Sequence, residues 1–453
     1  MKKELKILSP TGIVGYGFPE DSFMAGVALK PDLIACDGGS TDPGPYYLGS
    51  GIPFTNATAV KRDMKLMLKA ACELNIPLVI GTAGGSGADV HVAREVDIIR
   101  QIAKEEGLTF KMAVISSEFK KETLIEQLNA GKIEKLGPAP VVTEKDIMDS
   151  THIVAQMGIE PIIEALDNGA QVVICGRCYD PAAFAAPAVR LGYDQALALH
   201  LGKILECAAI CATPGSGSDC IMGYLGEDYF CIEPLNPERK CTPTSVSAHT
   251  LYEKTNPYIL PGPGGHLDLS ECVFTAVSDR RVKVTGSKFV PEAVPSVKLE
   301  GAKGAGFRTV SICANRDPIF ISQVDAILED LRKRTADNLS ADFEYNLDFI
   351  VYGKNGVMGA LEPQKEITSH EIGIVIDVVA DTQEHSAAAC AIARSTLLHY
   401  GYPGRIATAG NLAFPFSPSD MKVGEIYVFN IYALLRTDDP TKLFRPVYEE
   451  VKP

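Results

Sequence analysis

The chain has 453 residues, 46% of them hydrophobic, and a net charge of −14 without any dense Lys/Arg stripe. This composition excludes disordered and fibrous classes, and it argues against nucleic acid, whose phosphates need clustered basic residues. A soluble protein of about two domains is expected.

At the N-terminus, MKKELKILSPTG passes from a basic start into a strand-like run far shorter than the apolar core of a signal peptide. No later apolar run approaches membrane-spanning length, so the expected location is cytoplasmic, without membrane contact. Twelve cysteines are scattered over the chain, several inside apolar runs (Cys36, Cys72, Cys175, Cys313). They read as reduced, buried small hydrophobes rather than a disulfide framework.

In chain order, LKILS (5–9), PDLIACD (31–37), IPLVIGT (76–82), FKMAVIS (110–116) and QVVICGR (171–177) predict strands. Amphipathic patterns at 57–75 and 89–106 predict helices between them. The alternation points to an α/β fold with a doubly wound, mostly parallel sheet. Ligands of such sheets bind beyond the carboxyl ends of the strands, so the loops there are the expected cleft.

Those loops are rich in glycine and polar residues. The first, TGIVGYGFPED, offers Gly15 and Gly17; the second, CDGGSTDPGPYYLGSG, offers Asp37, Ser40 and Asp42. Asp37 and Asp42 read as a proton-transfer pair, as ligands of a divalent cation, or, for Asp42-Pro43 especially, as turn caps. The third loop, GTAGGSGAD, contains Thr82, Gly84, Gly85, Ser86 and Gly87. It reads either as an anion cradle ahead of a helix N-terminus or as a tight structural turn. As a cradle, it would lose its ligand but keep its fold with valine at Gly85 or Gly87.

The fourth loop, GRCYDPAA, carries Gly176, Arg177 and Asp180. Arg177 reads as a two-point clamp for a carboxylate, or as the partner of Asp180 in an ion pair that fixes the turn. Cys175 and Cys178 form the only C-x-x-C pair, and Cys175, ending a strand, should face the core, unlike a redox dithiol. No H-E-x-x-H occurs.

From 200 to 270 the pattern changes. HLGKILECAAICATPGSGSDC is a helix carrying Glu206 that runs into a Gly/Ser turn, and the following stretch is loop-rich with one short helix. The region about 211–270 is expected to fold over the sheet edge as a cap or oligomer contact, with His249 and Tyr252 placed to bind substrate. Beyond residue 300 the elements run β-α-β-β-α-β, the ferredoxin-like order. The expected domains are therefore 1–300 and a C-terminal ferredoxin-like α+β domain over 301–453.

GRCYDPAAFAAP, then GKILECAA, then LYEKTNPYILP, resemble in order and spacing the acyclic terpene utilisation (AtuA) family. Its members carry a G-R-x-x-D-P turn, an H-L-L-E-C-type helix and a Y-E-x-x-x-P-x-Y segment. By that resemblance Gly176, Arg177, Asp180 and Pro181 carry the turn, Glu206 and Cys207 carry the helix, and the C-x-x-C is incidental. The chain departs from the pattern where Lys203 stands for a His and Thr213-Pro214-Gly215 for Thr-Gly-Gly.

The resemblance implies catabolism of branched terpenoid acids handled as CoA thioesters. The expected activity is a lyase that hydrates or dehydrates a small carboxylic acid or acyl-CoA. Arg177 would clamp the carboxylate, Asp37, Asp180 or Glu206 would act as acid/base, and the glycine-loop amides would donate to an anion. No redox cofactor is needed, and a divalent metal on Asp37 and Asp42 is left open. The rival reading is a non-catalytic subunit that binds an acyl-CoA or carboxylate. A homo-oligomer, with or without a small accessory protein, is expected.

Overall fold

A computed structural model describes residues 3–339 and 343–453; Met1 and Lys2 of the basic start lie outside the described residues. The chain forms two units, Met1–Lys303 with Phe429–Pro453, and Gly304–Val428.

The first unit is built on a ten-stranded sheet. Its centre is five parallel strands in the order Leu5–Ser9, Leu33–Asp37, Leu78–Gly81, Val172–Cys175 and Phe110–Ile115. These are the five strands predicted from the β-branched runs. Every residue of Leu33–Asp37 and Val172–Cys175 is buried, as expected where helices cover both faces. Alternation divides them: Leu33 and Ala35 pack with Ile162, Phe184 and Leu199, whereas Ile34 and Cys36 pack with Met64, Met67 and Ile99.

The predicted helices are Ala57–Leu74, capped by the Asn56 side chain on the Thr58 amide, and Asp89–Glu106, which ends at a left-handed Gly107. They cover the second of those faces. Glu160–Asp167, Ala182–Arg190 and Gln195–Leu205 cover the first.

Part of the region expected as a cap joins the sheet instead. Ile221–Leu225 and Phe230–Pro234 are short apolar strands, buried at nearly every residue, that extend the sheet antiparallel from Leu5–Ser9. The remainder supplies the helix Pro243–Leu251 and a hairpin, Ile259–Gly262 with Gly265–Asp268, completed by Lys288–Pro291. At the opposite edge Pro446–Val451 pairs antiparallel with Phe110–Ile115. The chain's last 25 residues thus belong to the first unit rather than to a domain reaching 453.

The second unit runs strand, helix, strand, strand, helix, strand. Tyr345–Tyr352 pairs with Ile372–Ala380, which pairs with the end of Ser296–Asn315; all are antiparallel. The first helical stretch of this unit is interrupted at Gln323, giving Pro318–Ser322 and Val324–Asn338. Val324–Asn338 and Gln383–Leu398 bury Leu331, Ala389 and Ala393 against Ile374 and Ile376 of the sheet.

Candidate functional site

Two of the loops after parallel strands meet at a cavity of about 400 Å³ in the first unit. Arg177 and Asp180 come from the loop after Val172–Cys175, and Asp42 from the loop after Leu33–Asp37. Lys203, Glu253 and Lys298 add charges, while Leu260, Pro261, Gly262 and Pro263 of the hairpin line it with apolar surface. A Cβ on Gly262 would sit 2.7 Å from the Tyr179 ring, so glycine is required for this hairpin to lie against the turn.

The Arg177 turn is pinned by its backbone. Gly176 N donates to Ile115 O (2.7 Å), Arg177 N to Ser117 Oγ (2.5 Å) and Cys178 N to Thr82 Oγ1 (3.1 Å). The guanidinium is 3% exposed and donates from Nε to Glu300 Oε2 (2.8 Å) and from Nη1 to Asp180 Oδ1 (2.9 Å) and Cys178 O (2.7 Å). Nη2 has no protein partner among the described residues, and Arg177 lines the cavity. Glu300 also accepts from Lys298 Nζ (2.7 Å) and Thr41 Oγ1 (3.0 Å). Burial by itself would raise the Glu300 carboxyl, but Arg177 and Lys298 hold it at about 2. Burial likewise opposes the charge on Arg177, and its two carboxylate partners outweigh that.

A second group lies on Gln195–Leu205, whose N-terminus is capped by Asp194 Oδ1 on Leu197 N (2.9 Å). Lys203 and the C-cap residue Glu206 are one turn apart, joined at 2.5 Å between Nζ and Oε1. Lys203 also reaches Glu253 Oε2 at 3.5 Å and lies 5.3 Å from the centre of the Tyr252 ring. Glu206 Oε2 is buried without a hydrogen-bond partner. Burial pushes the Glu206 carboxyl up to about 8 against the pull of Lys203, and Asp180 adds to the rise. Burial raises Asp37 well above the usual carboxylate range, with Asp180 and Glu206 reinforcing it. Burial also opposes the Lys203 ammonium, but the adjacent Glu206 carboxylate keeps it charged. Burial thus favours the protonated forms of Asp37 and Glu206.

The family model described as "Acyclic terpene utilisation family protein AtuA" matches residues 56–218 and 232–421. The chain belongs to this family. The matched span contains the Gly176–Pro181 turn, Glu206 and Cys207. AtuA membership points to a role in acyclic terpene catabolism. No curated protein and no solved structure matches the chain. Among the described residues no helix is long and apolar enough to cross a membrane.

In this AtuA protein the remaining sequence-predicted residues divide sharply. His249 is buried and stacks on Tyr252 at 4.7 Å, with Nε2 unpartnered; burial, then Lys203 and Lys254, lower it to about 4. The Tyr252 hydroxyl meets Cys207 Sγ at 3.2 Å. Both therefore flank Lys203.

Several amides of the glycine loops, by contrast, find acceptors within the protein. Gly15 and Gly17 donate their amides to Asp63 Oδ2 (2.9 and 3.0 Å), Gly84 donates to Glu95 Oε1 (2.9 Å), and Gly87 to Ala83 O (3.2 Å). Among the described residues, these amides form no cradle open to a ligand. A Cβ on Gly85 would stand 2.7 Å from Phe54 Cβ, and one on Gly87 would collide with the Arg177 backbone nitrogen. Valine at either position would therefore disrupt packing, a correction to the expectation that the fold would survive. Thr82 Oγ1 fixes the Cys178 turn, and Ser86 Oγ is buried without a partner.

Asp42 N donates to Ser40 Oγ (3.1 Å), and Asp42 lies in the turn closed by Gly44 N on Thr41 O (3.0 Å). Among the described residues no three His, Cys, Asp or Glu side chains are grouped to hold a metal ion. Cys175 and Cys178 are buried free thiols; Cys178 is raised well above the ordinary range, first by its contact with Cys175 and then by burial. Sequence reasoning did not single out Glu300, Lys298 or Glu253, and it set Lys203 aside as a departure from the family pattern. The alternation in SVKLE does place Lys298 and Glu300 on one face of a strand, opposite the buried Val297 and Leu299, and that was the available signal.

Proposed function

We propose that this protein is a carbon–oxygen lyase that adds water to, or removes it from, a small carboxylic acid or branched acyl-CoA. The reading rests on one observation: Lys203, joined to the buried Glu206 at 2.5 Å, lines a ligand-sized cavity together with Asp180 and Arg177.

In the dehydrating direction Asp180, the most exposed of the three acids, takes the proton from the carbon next to the carboxylate or thioester. Lys203 and the free Nη2 of Arg177 stabilise the negative charge that develops on the carbonyl oxygen. The proton shared by Lys203 and Glu206 across their 2.5 Å contact passes to the departing hydroxyl, which leaves as water. Arg177 is then mainly a strut, bound to Glu300 and Asp180, with one face toward the ligand.

A panel of branched 3-hydroxy acids and their CoA thioesters, incubated with the protein and followed for loss of one water by mass spectrometry, tests this. Turnover should fall about 10²–10³-fold in Lys203→Ala, the usual cost of removing one oxyanion donor. Stabilising binding with no turnover of any panel member would favour the non-catalytic subunit instead.

A further inference from the structure

The second unit contains a cavity of its own, about 610 Å³, that no step of the lyase reading uses. Arg316, Lys354, Lys365 and His370 line it, with Asp325 as its single acidic residue among the described residues. This is a local exception in a chain of net charge −14: the unit has ten Lys and Arg, and three of them converge here.

The cations are poorly compensated. Arg316 makes no ion pair or hydrogen bond among the described residues. The neighbouring Asp317 is spent, capping Ile319 N (2.9 Å) and accepting from the Tyr402 hydroxyl (2.5 Å). Lys365 reaches only the Glu362 carbonyl (2.5 Å), and Lys354 is held by Asp325. Ser322 and Ser369, also in the lining, donate their hydroxyl protons to Ile319 O (2.9 Å) and Gly353 O (2.8 Å), so recognition falls to the cations. Pro318, Ile321 and Ile367 give the cleft apolar surface beside that charge.

We infer that this cleft is a binding site for an organic phosphate. A compact, multiply charged anion suits unpaired Arg316 and Lys365, and a guanidinium fork matches phosphate oxygens. A cleft wide enough for a small molecule and partly apolar suits an attached organic group better than a bare inorganic ion.

Isothermal titration of the full chain at low salt with ADP and with inorganic pyrophosphate tests it. ADP is expected to bind about tenfold more tightly than pyrophosphate, and both should weaken as salt is raised. The double variant Arg316→Glu/Lys365→Glu should lose ADP binding by about 100-fold or more. Lys333→Glu/Lys422→Glu, which alters two exposed lysines outside the cleft, should bind as the parent does. All four substituted positions are solvent-exposed, and matched melting curves would show that each variant is folded. Absence of ADP binding, equal affinity for ADP and pyrophosphate, or an unchanged affinity in the Arg316/Lys365 variant would overturn the inference.

Discussion

Glu300→Ala removes the one carboxylate that joins Arg177, Lys298 and Thr41, and it leaves the guanidinium buried at 3% exposure with Asp180 as its remaining acidic partner. Stranding one member of a buried pair costs roughly 3–5 kcal/mol, because the desolvation already incurred is no longer offset. The first unit has about 330 residues. At ~2.1 cal/mol/K per residue its unfolding entropy is roughly 0.7 kcal/mol/K, so the melting point should drop by about 4–7 °C. Glu300→Gln, which keeps an acceptor but not the charge, should lie between. Glu134→Ala, at an ion pair whose side chains are 47% and 41% exposed, serves as the surface control and should barely move the transition. Differential scanning calorimetry of the three variants reads this directly. A Glu300→Ala transition indistinguishable from the parent's would refute the view that the Arg177 turn is held by a buried ion network.

Three further outcomes are expected. The folded-state value of Glu206, about 8, is raised above the ordinary 4.5, so its contribution to stability is fully present below pH 4.5 and lost as pH rises through about 8. Denaturant unfolding of the parent referenced to Glu206→Gln should decline across that window, and a flat difference would contradict the assignment. Gly87→Ala should fail to fold or melt far below the parent, whereas Gly17→Ala, with open space around it but φ of +79°, should cost about 1–2 kcal/mol; equal melting points would remove the packing argument. Cys178→Ala should leave turnover and zinc content unchanged, as checked by activity and metal analysis, because the thiol is buried and far from its thiolate form.

The central parallel sheet was legible because its strands are buried on both faces and read as short β-branched runs separated by helical periodicity. The antiparallel additions were not. IMGYL and FCIEP lie in a stretch dense with Gly, Pro and Cys, and nothing local indicates that they pair beside Leu5–Ser9. Nor does the sequence near 446 show that the chain returns to the strand Phe110–Ile115.

The candidate site was half legible for the same kind of reason. Arg177, Asp180 and Glu206 sit in recognisable turns and helix ends, but Glu300 lies 123 residues from the arginine it holds. Sequence also could not show which glycine-loop amides find acceptors inside the protein, as those of Gly15, Gly17 and Gly84 do. Those acceptors, Asp63 and Glu95, sit on the helices Ala57–Leu74 and Asp89–Glu106, and both are fully buried.

In the proposed function, Asp180, Glu206 and Lys203 perform proton chemistry on a bound carboxylate or thioester. Deuterium incorporation from D₂O at the carbon next to that group, followed by NMR on the panel member that stabilises the protein most, addresses it without requiring net turnover. Incorporation by the parent should be abolished in Asp180→Asn and Lys203→Ala, while Asp180→Asn still gives a thermal shift with the same ligand. Binding by the parent with no deuterium entering any ligand would contradict the account.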